Sequence, residues 1–189
     1  REYSMGKYHL NDATMHAFVL LQMANSKAYS DRYRAAIVEH CLARGLSVAS
    51  HDDATLAHVE ESARYGMNIA EFPTTLEAAR GCRQLGMKVL MGAPNVVRGG
   101  SHSGNVAAAG LAAEGLLDIL SSDYYPASLL QAAFVLADQQ DGGDLSRAVK
   151  MISLAPAHAA GLSDRGEIAI GLRADLVQAK KSQDGLPVV

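Results

Sequence analysis

Cysteine is scarce: Cys41 and Cys82 are the two in 189 residues. Two thiols cannot build a multi-disulfide framework or a cysteine-only metal site. Each reads as a small apolar residue. A basic surplus is also lacking. The formal net charge is −3, and no polybasic run is on hand to grip a nucleic-acid backbone or a membrane surface. No apolar run approaches the ~20 residues that span a bilayer. The opening residues, Arg1 and Glu2, carry no signal-peptide pattern, so a cytoplasmic location is expected. The Arg start also leads us to expect further sequence upstream. Linkers, low-complexity segments and heptads are missing. What is there is ordinary: 49% hydrophobic and 20% charged residues. That balance describes a globular chain of one domain, or a large piece of one.

One pattern recurs along the chain. A helical stretch ends in glycine, a short apolar run follows, and the run ends in polar residues. Gly45 precedes Leu46 to Ser50 and then His51-Asp52-Asp53. Gly66 precedes Met67 to Ala70 and then Glu71. Gly86 precedes Met87 to Met91 and then Gly92. Gly115 precedes Leu116 to Leu120 and then Ser121-Ser122-Asp123. Glycine suits the left-handed residue that ends a helix. The runs are too short for helices and read as buried strands. Each gap between them holds one helix and two loops, so the unit is a βα repeat with parallel strands. Asp53 or Thr55 is expected to cap the first intervening helix. Thr74 and Glu77 have capping-box spacing after Pro73. Asn105 or Gly104 is expected to open a helix through Ala113, Pro126 another to Ala137, and Leu145 a third to Ser153. Upstream, Asn11-Asp12 and Ser30-Asp31 predict two helices over 13–25 and 32–43. Downstream, 166–171 and 174–177 read as two short strands of a separate β unit.

The fold class is therefore α/β, and two architectures fit it. One is the second half of a (β/α)8 barrel, which needs about 250 residues in full. The other is a complete open sheet of flavodoxin type. The long last spacing and the β tail favour the half barrel. Such a half leaves open sheet edges and apolar helix faces, so the chain by itself is expected to be insoluble, to associate, or to be supported by further sequence.

In parallel α/β folds the chemistry gathers at the carboxyl ends of strands. Here those ends carry His51, Asp52 and Asp53, then Glu71, then a long loop, then Asp123. Imidazole and carboxylate are the ligands of hydrolytic divalent-metal sites. His51, Glu71 and Asp123 form a candidate partial cluster. The bland alternatives are a hydrogen-bonded loop histidine, a solvated Glu71 and a structural Asp123. Asp52 reads as a supporting acid, His58 as a surface residue and His158 as a helix-start residue. The loop from Gly92 to Asn105 is rich in glycine and in donors. Its backbone amides can converge on an anion, and Arg98 can grip a phosphate with its fork. Ser101, His102, Ser103 and Asn105 add donors around Gly99 and Gly100. No Walker A lysine follows, and the alternative is a lid with no ligand. Arg1, Tyr3, Lys7, Tyr8 and His9 make a small polar-aromatic segment that reads as solvated.

Five segments are similar to a known family. They are Ser50-His51-Asp52-Asp53-Ala54-Thr55, Ala70-Glu71-Phe72-Pro73-Thr74-Thr75, Met91-Gly92-Ala93-Pro94-Asn95, Arg98 to Asn105, and Asp118 to Pro126. In this order they resemble the diphosphatases of the bacterial carbon–phosphorus lyase pathway, within the amidohydrolase superfamily. The tail Asp164 to Val177 is similar to the segment by which amidohydrolases return from barrel to β-sandwich. The resemblance implies that 1–165 is the C-terminal half of a metal-dependent hydrolase barrel and 166–189 the return segment. It implies a hydrolase of phosphonate catabolism that cleaves a ribose triphosphate and releases pyrophosphate. It further implies a divalent metal such as Zn or Mn held by His51, Glu71 and Asp123, with Asp123 also accepting a proton. Arg98, Gly99, Gly100, Ser101, His102, Ser103 and Asn105 would bind substrate phosphates. The superfamily's strand-one His-x-His and strand-four ligand have no counterpart here, and Glu71 stands where many members carry histidine. The expected partner is a phosphorylated ribose; neither nucleic acid nor membrane is expected, and a homo-oligomer is left open. The competing readings are a C–N-cleaving amidohydrolase on the same barrel and an inactive fragment.

Overall fold

Glycine ends helices here because it alone enters the left-handed region at no steric cost, and the chain then starts a strand. The computed structural model describes residues 2–101, 103–139 and 144–189. Arg1 and His102, which sequence reasoning singled out, lie outside the described residues. Two compact units are present, Arg1–Arg44 and Gly45–Val189.

The first unit holds α1 (Glu2–Tyr8) and α2 (Asp12–Leu42). Asn11 caps α2: its Oδ1 accepts from the Thr14 amide at 2.9 Å, and the Asn11 amide donates to Thr14 Oγ1 at 2.9 Å. The two helices expected over 13–25 and 32–43 are one. Ser30-Asp31 does not break it, since no glycine or proline stands between Asp12 and Leu42. The Ser30 hydroxyl instead accepts from Arg34, one turn on. The segment read as solvated forms α1, with the Tyr8 and Phe18 rings 5.4 Å apart.

The second unit is built on four strands: β1 (Ala49–His51), β2 (Ile69–Glu71), β3 (Lys88–Gly92) and β4 (Ile119–Ser121). They lie in chain order and every neighbouring pair is parallel. The glycine pattern thus marks the sheet correctly. The helices between them are α3 (Leu56–Arg64), α4 (Leu76–Gln84), α5 (Ala93–Val97) and α6 (Ala108–Ala113). Beyond β4 come α7 (Ser128–Gln139), α8 (Leu145–Lys150) and α9 (Leu154–Ala159). Among the described residues no helix is long and apolar enough to cross a membrane.

Successive strand residues face opposite sides of a sheet. On one side Ala70, Val89, Met91 and Leu120 pack into the main cluster with Val59, Cys82, Leu111 and Leu136. On the other side His51, Glu71, Leu90 and Ile119 fall in one register row. Full burial of a side chain such as Leu111 contributes roughly 1.5–3 kcal/mol.

The caps depart from expectation in detail. Thr55, not Asp53, caps α3 by accepting from the His58 amide. Thr75, not Thr74, caps α4 by accepting from the Ala78 amide at 3.1 Å. Thr74 is engaged elsewhere, its amide donating to the Asp53 carbonyl at 2.9 Å. Glu77 reaches back to the Leu56 amide at the start of α3, rather than closing a capping box. Asn105 and Gly104 do not open α6; Asn95 accepts from the Ala108 amide at 2.9 Å and caps it from a distance. Ser153 ends no long helix, for α8 stops at Lys150, and His158 sits in the last turn of α9 rather than at a helix start.

The tail differs most. Residues 166–178 form no strand, and Ile168 and Ile170 stand fully out in solvent. The tail's strands come later, as the antiparallel pair β5 (Lys180–Lys181) and β6 (Pro187–Val188). Lys181 ties this pair to Asp138 of α7.

Candidate functional site

The carboxyl ends of the strands carry the unusual backbone. Asp52, Phe72 and Asp123 follow β1, β2 and β4 with φ of +61°, +56° and +51°. Non-glycine residues seldom adopt this region, and aspartate tolerates it better than phenylalanine does. All three line one cavity of about 300 Å³. Pro73, Met91, Gly92, Asn95, Arg98, Ser101, Ser103 and Asn105 complete the lining.

Asp123 reaches across β3. A Cβ at Gly92 would stand 3.1 Å from Asp123 Oδ2 and 3.6 Å from Phe72 Cε1. Glycine at 92 therefore leaves the space that the carboxylate uses. The Arg98 guanidinium lies 6.0 Å from the centre of the Tyr124 ring, next in sequence to Asp123. Such a contact holds the cation over the aromatic face.

The loop that carries Arg98 is anchored at both ends. The Gly100 amide donates to the Asn95 carbonyl at 2.8 Å and the Val106 amide to the Thr74 carbonyl at 3.0 Å. The Asn95 side chain accepts from Ala108 and donates to the Val106 carbonyl at 3.4 Å. Ser101 and Ser103 hydroxyls lie 3.2 Å apart. Arg98, Ser101, Ser103 and Asn105 thus line the same cavity as Asp123, Phe72 and Pro73. Gly99 and Gly100 turn the loop at positive φ.

His51 and Glu71 are brought together, since they are register partners on the same side of the sheet. His51 Nδ1 lies 3.0 Å from Asp52 Oδ2, which leaves Nε2 as the nitrogen without that partner. Its ring meets Phe72 edge to face, with centroids 5.3 Å apart. Neither His51 nor Glu71 lines the cavity; Asp52 and Phe72, the residues after them, do. Among the described residues, no three His, Cys, Asp or Glu side chains are gathered closely enough to form a metal set. The Ser121 hydroxyl is buried without a partner beside Gly92.

Asp53 serves the frame. It is buried, and the Ser50 and Ser62 hydroxyls donate to its carboxylate at 2.6 and 3.4 Å. Burial pushes the nearby Cys82 thiol up to about 12, and the Asp53 charge adds to that. His58 is exposed, and its Nδ1 accepts from the Ala54 amide.

Sequence reasoning assigned no role to Phe72, Asn95 or Tyr124. Asn95 had a signal: an amide side chain directly after Pro94 and ahead of a glycine loop is placed to bind that loop's backbone. Phe72 had none, because its left-handed backbone is invisible in its residue type.

The model of the amidohydrolase family matches residues 12–185. A curated relative, α-D-ribose 1-methylphosphonate 5-triphosphate diphosphatase of Escherichia coli (strain K12), is 56% identical over 189 residues. The match takes in 100% of this chain and 50% of the relative, so the chain spans about half the length of that protein. A solved amidohydrolase structure is 17% identical with a TM-score of 0.58, over 77% of this chain and 40% of that one. A metal-dependent hydrolase from Pyrococcus furiosus is 14% identical with a TM-score of 0.56, over 75% and 35%. These two likenesses concern the fold.

Proposed function

The chain belongs to the amidohydrolase family, and we propose that it is the part of a diphosphatase that carries the phosphate-holding loop and the proton acceptor. The substrate class is a ribose bearing a 5-triphosphate, with α-D-ribose 1-methylphosphonate 5-triphosphate as the specific compound. The products are the 5-phosphate and pyrophosphate. In this reading the four-stranded unit contributes half of a (β/α)8 barrel, and residues 166–189 are the segment that returns to a small β-sandwich.

The observation that carries the proposal is the shared cavity. Asp123 and four polar residues of the glycine-rich loop line it together. A triphosphate needs donors in number, and an amide substrate does not. The 56% identity to a curated diphosphatase supports the same substrate.

The donor types suit a divalent cation, although among the described residues His51, Glu71 and Asp123 are not gathered into one set. His51, with Nδ1 on Asp52, offers Nε2, and Glu71 and Asp123 offer carboxylate oxygens. A cation held there, of the Zn or Mn type, would supply charge neutralisation and make water more acidic. Asp123 accepts the proton of the attacking water. The water oxygen bonds to the α-phosphorus, the bond from that phosphorus to the bridging oxygen breaks, and pyrophosphate leaves. Arg98, Ser101, His102, Ser103, Asn105 and the amides of Gly99 and Gly100 hold the phosphates and the charge that spreads over them.

The test compares pyrophosphate release from the ribose triphosphate with hydrolysis of a cyclic amide, at saturating metal. We expect turnover of the triphosphate alone, and Arg98→Ala to raise KM far more than it lowers kcat. Turnover of the amide, or an Arg98→Ala enzyme with unchanged KM and kcat, overturns the assignment.

A further inference from the structure

Phe72 combines three features that its residue type does not call for. Its backbone is left-handed, with φ of +56°. Outside glycine, asparagine and aspartate this region is sterically costly. Strain of this kind persists only where surrounding structure enforces it. Two hydrogen bonds enforce it here: the Phe72 amide donates to the Leu90 carbonyl at 2.9 Å, and the Asp52 amide to the Glu71 carbonyl at 3.0 Å. The ring meets the His51 imidazole edge to face at 5.3 Å and 80°. Its Cε1 also approaches the open side of Gly92, the same space that Asp123 Oδ2 enters. A regular strand would place residue 72 on the side opposite Glu71, among the helices. The left-handed turn brings it to the cavity instead.

We propose that Phe72 is a positioning residue, whose strained backbone carries one ring into contact with both His51 and the Gly92–Asp123 corner and so sets the spacing of the two polar groups. The inference rests on the functional reading of His51 and Asp123. It goes beyond that reading because it assigns an apolar residue a geometric task. A ring has no proton to give and no charge to lose. Its effect passes through the imidazole it braces and the apolar wall it offers the carboxylate.

The experiment uses Phe72→Leu, Phe72→Asn and Phe72→Tyr in the natural protein at its full length. Leucine keeps apolar bulk and the strain but loses the ring. Asparagine relieves the strain and loses the ring. Tyrosine keeps the ring. We expect kcat to fall on the order of 10²-fold in both ringless variants, the scale of a misplacement near 1 Å, with KM within about threefold. Tyrosine should restore most of the rate. Urea unfolding should find the asparagine variant at least as stable as the leucine one, since only leucine pays for φ. In NMR spectra of the substrate-free protein, the His51 ring protons should shift in both ringless variants and hold in the tyrosine variant. Unchanged His51 shifts, or wild-type kcat in the leucine and asparagine variants, overturn the proposal. The spectra and the unfolding need no substrate. A wild-type protein inert toward the triphosphate therefore strikes the functional reading alone.

Discussion

The two sides of the sheet are made from strands of the same length and obey different rules. Toward the helices stand Ala70, Val89, Met91 and Leu120, all almost fully buried. On the other side stand His51 and Glu71 with Leu90 and Ile119, and Ser121 beside Gly92. On the helix side the buried aspartate, Asp53, takes two hydroxyl donors. The other side keeps a buried hydroxyl, on Ser121, with none. Packing governs the first side, whereas the second mixes the apolar Leu90 and Ile119 with the polar His51, Glu71 and Ser121. Within the second unit the non-glycine residues at positive φ divide the same way, since Asp52, Phe72 and Asp123 all line the cavity.

The sharpest way to break the comparison is Asp123→Asn. The amide keeps the shape at Gly92 but accepts no proton. Pyrophosphate release should slow on the order of 10²–10⁴-fold with phosphate binding retained. Steady-state kinetics at saturating metal checks this; near wild-type turnover removes Asp123 from its role.

Leu120 and Ser121 adjoin in sequence and face opposite sides. Leu120→Ala should cost about 2–5 kcal/mol in urea unfolding, because it empties packed volume. Ser121→Ala should cost nothing and gain up to about 1 kcal/mol, because it removes a hydroxyl buried without a bond. Equal losses in the two variants would erase the distinction between the sides.

Much of this division is legible in the residue order. Four glycine-led apolar runs announced four parallel strands, because the helix-ending turn and the buried strand each demand a narrow set of residues. The caps were harder. Thr74 and Thr75 carry the same hydroxyl one residue apart, and a bond to the Asp53 carbonyl, formed only in the fold, takes Thr74 away. Ser30-Asp31 looks like a helix start, yet a helix already running meets no glycine or proline there. Ile168 and Ile170 alternate as a strand does, but among the described residues no strand pairs with them, and a strand unpaired in water has no bonds to hold it. At the candidate site, residue types pointed to Asp123 and the loop, which share the cavity, and to His51 and Glu71, which do not line it. The cavity wall escaped, since it depends on φ at Phe72 and on the missing Cβ at Gly92.

The effect that is smallest at neutral pH belongs to Cys82, on the helix side. In the native protein its thiol keeps its proton up to about 12, against 9.0 ordinarily. Between those values the unfolded chain releases the proton and the native chain does not. The stability tied to Cys82 is therefore fully present below pH 9.0 and declines as pH rises toward about 12. The urea-midpoint difference between wild type and Cys82→Ala should stay constant below pH 9.0 and shift against wild type only above it. Thiol reagents should find Cys82 unreactive until the protein unfolds.

The Asn95 side chain joins two ends of one loop: its Oδ1 takes the Ala108 amide and its Nδ2 gives to the Val106 carbonyl. This makes a clock of the Ala108 amide proton. It exchanges with solvent deuterium only when the Asn95 bond opens, so its exchange rate counts the openings of the loop mouth. If the loop holds phosphates as proposed, an anion resting on it would slow that clock by closing the mouth more often. The proposed binding of phosphate, pyrophosphate or sulfate would then be readable at a single backbone position, without turnover and without a label on the anion.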